Sequence, residues 1–262
     1  MIVFSAFTSH TPLLIPTIGK NQIKKIGKTH KAMCHLAEEL YLSHPDVLIT
    51  ISQHAINFSD TFCANLSEKY VIDFKEFGDL VTQKIFSPDI AFLDGLQRFL
   101  RKEKIPFTLN SESRLDYGSA VPLSLLTERL SLPIVPLSYS GLDAKTHFQF
   151  GKHLQDYIQK QTKRVAIIAC GDLAHTLSSQ SQEGYHASGK KFDAAIRQSI
   201  AHNSPLQLMT LDPIIIKEAK QCAYLPLLML MGILEDISVR PEELSYENPF
   251  GVGYLNAQFH LL

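Results

Sequence analysis

Short apolar runs alternate along this chain with longer stretches in which apolar residues recur every three or four positions, the order of strand and helix that builds an α/β domain. Ile2–Phe7 opens as a strand. From about Asn21 to Leu42 the apolar residues Ile23, Ile26, Met33, Leu36 and Leu40 fall on one side, as a helix requires, and Pro45 closes the segment. Val47 to Ile51 is an unbroken run of β-branched and aliphatic residues, the pattern of a strand covered on both faces. Val165 to Ala169 repeats that pattern and runs up to Gly171.

Between Asn57 and Ser87 the period is lost, because Phe58, Phe62, Tyr70, Phe74 and Phe77 fit neither template. Loops, a short strand near Val71–Asp73 and a helix ahead of Ser87-Pro88 are expected there. Helices are expected over Ile90–Arg101, over Leu123–Leu130 with Pro122 at its start, over about Lys145–Lys160 and over about Lys190–Ala201. Phe107–Leu109 and Ile134–Leu137 read as strands. A last helix starts near Asp212-Pro213, with Asp as cap and Pro in the first turn, and runs toward Leu234. Gly251 to Leu255 reads as a closing strand. With no internal repeat or linker, residues 1–262 are expected to form a single α/β domain with a central, mostly parallel or mixed sheet flanked by helices.

Composition excludes several classes of function. The 25 basic and 26 acidic residues give a formal charge of −1 without long runs of either sign, so no footprint for nucleic acid is visible and a small or neutral partner is expected. Leu225 to Leu234 is the most apolar stretch, too short to span a bilayer, and is expected as a buried helix. The first residues lack the basic lead of a signal peptide, which points to the cytoplasm. Cys34, Cys63, Cys170 and Cys222 stand singly, without zinc-ribbon or redox-pair spacing, and no disulfide framework is expected.

The candidate chemistry lies in histidines placed just after strands. His10 follows the first strand in Ser9-His10-Thr11-Pro12, His54 follows the second in Ser52-Gln53-His54, and His175 follows the Val165 strand in Gly171-Asp172-Leu173-Ala174-His175. One such histidine is ordinarily a loop residue. Three would meet on one rim of a sheet, where open α/β sheets bind ligands. Imidazole is a common neutral metal ligand, and no HExxH motif supplies two from one helix. A divalent ion held by His10 and His54 needs a further anionic ligand, for which Cys222 and Glu218 are candidates, one turn apart on the last helix. His30 and His35 fit a helix face, and His44, His147, His153, His186, His202 and His260 lack the strand-end setting, although Gly184-Tyr185-His186 has the makings of a lid.

Six blocks resemble, in the same order, those of class III extradiol ring-cleavage dioxygenases, the LigB-type catalytic subunits. They are Ser9-His10-Thr11-Pro12, Pro45 to His54, Asp116-Tyr117-Gly118-Ser119-Ala120-Val121-Pro122-Leu123, Gly171 to His175, Gln221-Cys222-Ala223, and Pro249-Phe250-Gly251-Val252-Gly253-Tyr254. The resemblance implies a mononuclear Fe(II) site held by two histidines and a carboxylate, with open positions for a catechol-like aromatic and O₂. His10 and His54 match the histidine ligands, His175 matches the acid/base histidine, and Asp172 stands where it can orient or charge that ring.

The chain departs from the ring-cleaving pattern twice. Tyr117 stands where those enzymes typically carry a histidine, and a phenol is a poor base at neutral pH. Cys222 precedes Ala223 where they place glutamate before glycine, and in this the chain is similar to the Memo-type branch and to the protein B that accompanies AMMECR1-like and radical-SAM partners. Sulfur makes Zn(II) an alternative to Fe(II). Three readings follow: ring cleavage of a small aromatic diol with O₂, a Memo-like member with a redox, accessory or interaction role, or a metal-dependent hydrolase. A homodimer or an accessory protein partner accompanies them as an expectation.

Overall fold

The computed structural model describes residues 1–262. The chain opens with β1 (Ile2–Thr8), a short helix α1 (Pro16–Gly19), a 3-10 segment over Lys20–Ile26, α2 (Gly27–Leu42) and β2 (Val47–Ser52). Next come β3 (Phe62–Asn65), a hairpin of β4 (Tyr70–Phe74) and β5 (Asp79–Phe86), α3 (Ile90–Lys102) and β6 (Phe107–Asn110). The alternation continues through α4 (Tyr117–Leu126), β7 (Ile134–Ser138), α5 (Ala144–Gln159) and β8 (Val165–Cys170). Helices α6 (Ala187–Ala201), α7 (Pro205–Met209), α8 (Pro213–Glu218) and α9 (Tyr224–Ile233) precede the terminal pair β9 (Val239–Glu247) and β10 (Tyr254–Leu261).

Eight strands make one mixed sheet in the order β6-β3-β7-β2-β8-β1-β10-β9. Its centre, β7-β2-β8-β1, is parallel throughout, and β10 and β9 extend it antiparallel on one side. β2 and β8 are buried at every position, which is why both read as continuous apolar runs. Alternate residues feed two cores. Val47, Ile49, Ile51, Val165, Ile167 and Ala169 face the larger one, with α3, α5, α6 and α9, while Leu48, Ala166, Ile168 and Cys170 face the other, with α2 and α4. The result is a single α/β domain with helices on both faces of the sheet. No helix is long and apolar enough to cross a membrane.

Four local expectations are corrected by this structure. The segment before Ser87-Pro88 is a strand, β5, because Gly78 at φ +81° turns the chain and Gln83, Lys84, Ile85 and Phe86 then pair back along β4. The helix expected over Leu123–Leu130 starts at Tyr117 instead: the Asp116 carboxylate accepts the Ser119 N–H and caps it, leaving Pro122 inside the helix. The long last helix is two helices, α8 and α9, parted where Lys220 takes φ +53° and the Gln221 side chain caps α9 by accepting the Ala223 and Tyr224 N–H groups, each at 2.8 Å. The closing strand starts later, at Tyr254, and pairs with β9, a charged edge strand whose pattern gives little sign of it.

Helix α9 is buried along its length, as its apolar sequence demands, and it crosses α5 at glycines. A Cβ at Gly232 would meet the Phe148 carbonyl oxygen at 2.1 Å, and one at Gly151 would meet that of Met229 at 2.2 Å. These are backbone atoms, so the helices would have to part. Gly232→Ala is therefore expected to lower stability by about 1–3 kcal/mol, read as a fall in the urea midpoint without a change in slope; an unchanged midpoint would show that the crossing tolerates a methyl group.

Candidate metal centre

Strand register brings the candidate residues together. Thr8 of β1 and Ser52 of β2 both lie level with Cys170 of the intervening β8. His10, His54 and Asp172 each follow that level by two residues, so three neighbouring parallel strands deliver them to one rim. Cys222 reaches the same rim from the connection between α8 and α9. It is held there by its N–H, which donates to the Asp172 carbonyl at 3.2 Å, and by its sulfur, which accepts the Asp172 N–H at 3.2 Å. Gly171 permits the approach, since a Cβ there would meet the Ala223 Cα at 2.5 Å.

His10 Nε2 stands 3.2 Å from His54 Nε2 and 3.4 Å from Cys222 Sγ, and these three donor atoms lie within 4.8 Å of one another. Tyr117 Oη is 3.1 Å from His54 Nε2 on one side, and His175 Nε2 is 3.9 Å from Cys222 Sγ on the other. Asp172 lies beside His10. Its carboxylate accepts from Ser9 Oγ and from the His10 N–H, and its second oxygen is 3.9 Å from His10 Nε2. Ser52 Oγ donates to Asp116 and accepts the His54 N–H at 3.2 Å, which ties the start of α4, and hence Tyr117, to the His54 loop.

Burial sets the protonation of this cluster. It lowers the pKa of His10 to about 3, against the pull of Asp116, and that of His54 to about 4, aided by His10. Burial likewise lowers His175, with Asp172 opposing. All three imidazoles are neutral at neutral pH, the ligating and proton-accepting form. Burial raises the Cys222 thiol well above its ordinary range, with Asp172 adding to the effect, and raises Asp172 itself. Tyr117 is also raised and stays a donor.

This donor set fits a divalent metal. Metal–nitrogen bonds of about 2.0–2.1 Å and a metal–sulfur bond of about 2.3 Å place tetrahedral neighbours roughly 3.3–3.6 Å apart, close to the two separations from His10, while the His54 and Cys222 donors stand wider, within 4.8 Å, and would draw together around an ion. His10, His54 and Cys222 are the residues that would hold the ion. Glu218 is not among them: the break after α8 takes it off any shared face with Cys222, and its carboxylate accepts from Ser188 Oγ at 2.6 Å and lies 3.3 Å from His186 Nδ1. His186 Nδ1 accepts the Ser188 N–H at 3.3 Å and caps α6.

Beside His54 and Tyr117 opens a cleft of about 420 Å³, further lined by Asn65, Asn110, Arg114 and Pro136. Arg114 donates to Asp73 at 2.9 Å, so its charge is already partly matched. Ser9 and Ser52 support the site without any motif that marks them. Their only signal is position, each one or two residues ahead of a candidate histidine.

Fold and rim together define an α/β protein with a buried two-histidine, one-cysteine centre at the carboxyl ends of its parallel strands. The family model of the catalytic LigB subunit of aromatic ring-opening dioxygenase matches residues 5–257, and the chain belongs to that family. Protein CA_C1420 of Clostridium acetobutylicum is 26% identical over 257 residues, which are 94% of this chain and 54% of that protein; the chain spans about half the length of this curated relative. The crystal structure of uncharacterized protein JW3007 from Escherichia coli K12 shares the fold, with a TM-score of 0.69, 19% identity and coverage of 98% of this chain and 99% of that one.

Asp116 serves both as helix cap and as the anchor of Ser52. Asp116→Ala is expected to cost about 1–2 kcal/mol, measured as a lowered thermal or denaturant midpoint; a wild-type midpoint would mean that Tyr117 is placed without the cap.

Proposed function

We propose that this chain is a metal-dependent oxidoreductase that opens the ring of a catechol-like aromatic with O₂, with the metal held by His10, His54 and Cys222. The convergence of these three donor atoms, flanked by His175 and Tyr117, carries the proposal. Family membership supports the dioxygenase-like class. Fe(II) is the metal the family resemblance implies, and when bound it supplies the Lewis-acid and redox chemistry that lets a diol and O₂ react in one place.

The chain's own residues then have separate tasks. The cleft beside His54 gives an aromatic ring room at the edge of the centre. His175, neutral and mostly buried, accepts a proton at Nε2 from a substrate hydroxyl and returns it later. Tyr117 keeps its proton, and its hydroxyl, 3.1 Å from His54 Nε2, stands where it would donate to a substrate oxygen at the edge of the centre. Asp172 fixes the His10 backbone and, through the Cys222 pair of bonds, the sulfur.

One observation favours a second reading. Sulfur occupies the third position, where ring-cleaving relatives are expected to place a carboxylate, and thiolate suits Zn(II) as well as iron. Under that reading the chain keeps the metal but serves a redox, accessory or interaction role, as a Memo-like member.

Anaerobic reconstitution with Fe(II), followed by air and a panel of catechols, separates the two. Ring cleavage predicts O₂ uptake with a yellow ring-opened product from at least one diol; full iron loading with no product from any of them contradicts it. In elemental analysis, His10→Ala, His54→Ala and Cys222→Ala are each expected to reduce bound metal from about one per chain to a small fraction. Wild-type metal content in all three would remove the site.

A further inference from the structure

Asp193, on α6, is a carboxylate that the proposed chemistry does not use, yet it is only 2% exposed. Both of its oxygens are engaged. Oδ1 accepts the Ala174 N–H at 2.8 Å, and Oδ2 accepts the Tyr246 O–H from β9 at 2.7 Å. Ala174 lies immediately before His175 and two residues after Asp172. The segment that leads into β10 closes over the same spot: Leu173 N–H donates to the Gly253 carbonyl at 2.8 Å, Gly253 N–H donates to the Ala174 carbonyl at 2.9 Å, and a Cβ at Gly253 would meet Asp193 Oδ2 at 2.3 Å.

An isolated charge in such a place is costly, but asparagine, the neutral side chain of the same shape, has one acceptor oxygen for two donors, the Ala174 N–H and the Tyr246 O–H. What the carboxylate adds is a stronger, charge-assisted bond to the Ala174 amide. We propose that Asp193 is the positioning residue of the 172–175 loop: its carboxylate clamps the Ala174 amide and so sets where the His175 imidazole stands, and protonation loosens the clamp. The inference rests on the proposed function only for the role given to His175.

The surroundings of Asp193 account for its titration. Arg197, one turn further along α6, commits its guanidinium to Glu243 of β9 at 2.8 Å through two nitrogens and stacks on the Tyr246 ring at 4.3 Å. Asn248 donates to Tyr246 Oη at 3.2 Å. Asp172 and His175 are the titratable groups of the loop itself. Burial dominates and pushes Asp193 up to about 6, against the hydrogen bonds from Tyr246 and Ala174 and the charge of Arg197.

The direction of the effect follows from linkage. A carboxyl whose pKa is higher folded than unfolded holds its proton more tightly in the folded state, so its contribution to global stability falls as pH rises from about 4 to about 6. Over the upper part of that window the clamp forms. Global stability and order of the loop therefore move in opposite directions, which a purely structural carboxylate would not produce.

Hydrogen exchange of the full chain, expressed as protection factors at about pH 5 and about pH 7, tests this directly. In the wild type, Ala174 protection is expected to fall roughly tenfold at the lower pH, while amides of β1 and β8 hold theirs. Asp193→Asn, which keeps only a neutral acceptor, is expected to hold Ala174 at the lower protection of the acidic wild type at both pH values, with no response to pH; Asp193→Ala is expected to lose protection at Ala174 further at both. Equal Ala174 protection at the two pH values in the wild type, or the same pH response in Asp193→Asn, overturns the proposal, and these two proteins decide it even if Asp193→Ala does not fold. Because amide protection and not turnover is read, failure here is distinct from failure of the ring-cleavage reading.

Discussion

Parallel pairing of β1, β8 and β2 in one register is the constraint on which the rest of this structure depends. With Thr8, Cys170 and Ser52 level across three adjacent strands, the chain cannot leave the sheet without sending His10, Asp172 and His54 to the same edge. Neighbouring strands lie about 4.8 Å apart, a spacing that side chains two residues past the last pair can bridge. A one-residue slip of β1 or β2 would turn its apolar residues to the wrong core, so the packing of both faces holds the site in register as firmly as any bond within it.

Around that edge the supporting contacts come from elements far apart in sequence. Cys222 exchanges two bonds with the Asp172 backbone, Ser52 joins the His54 loop to the capped start of α4, and the Gly253 and Asp193 contacts hold the loop that carries His175. The same packing that assembles the cluster also draws it away from solvent. Burial keeps the imidazoles neutral, leaves Tyr117 a donor, and makes the protonated thiol the favoured form of Cys222. A cation placed among these donors would reverse the preference at sulfur, because a coordinating thiol gives up its proton.

Much of this was legible from residue order because the informative strands are buried on both faces. β2 and β8 announce themselves as continuous apolar runs, and the histidines just beyond β1 and β2 follow directly. What escaped depends on contacts that local pattern does not carry. β5 is a strand only because β4 pairs with it, and its mixed residues read equally as a helix. α4 starts ahead of Pro122 because the Asp116 cap prevails over the preference of proline for a first turn. Glu218 shares a face with Cys222 only on a continuous helix, and a single left-handed residue, Lys220, parts them. Asp193 gave no signal at all: a carboxylate in a charged helix looks solvated until the partners from β9 and the His175 loop are seen around it.

The account stands or falls on whether sulfur and two imidazoles share one ion. X-ray absorption at the metal edge of the reconstituted protein reads this directly. The account predicts one sulfur at about 2.3 Å together with the multiple-scattering pattern of two histidines, and loss of the sulfur shell in Cys222→Ser. A first shell of oxygen and nitrogen alone, unchanged by that substitution, would contradict it.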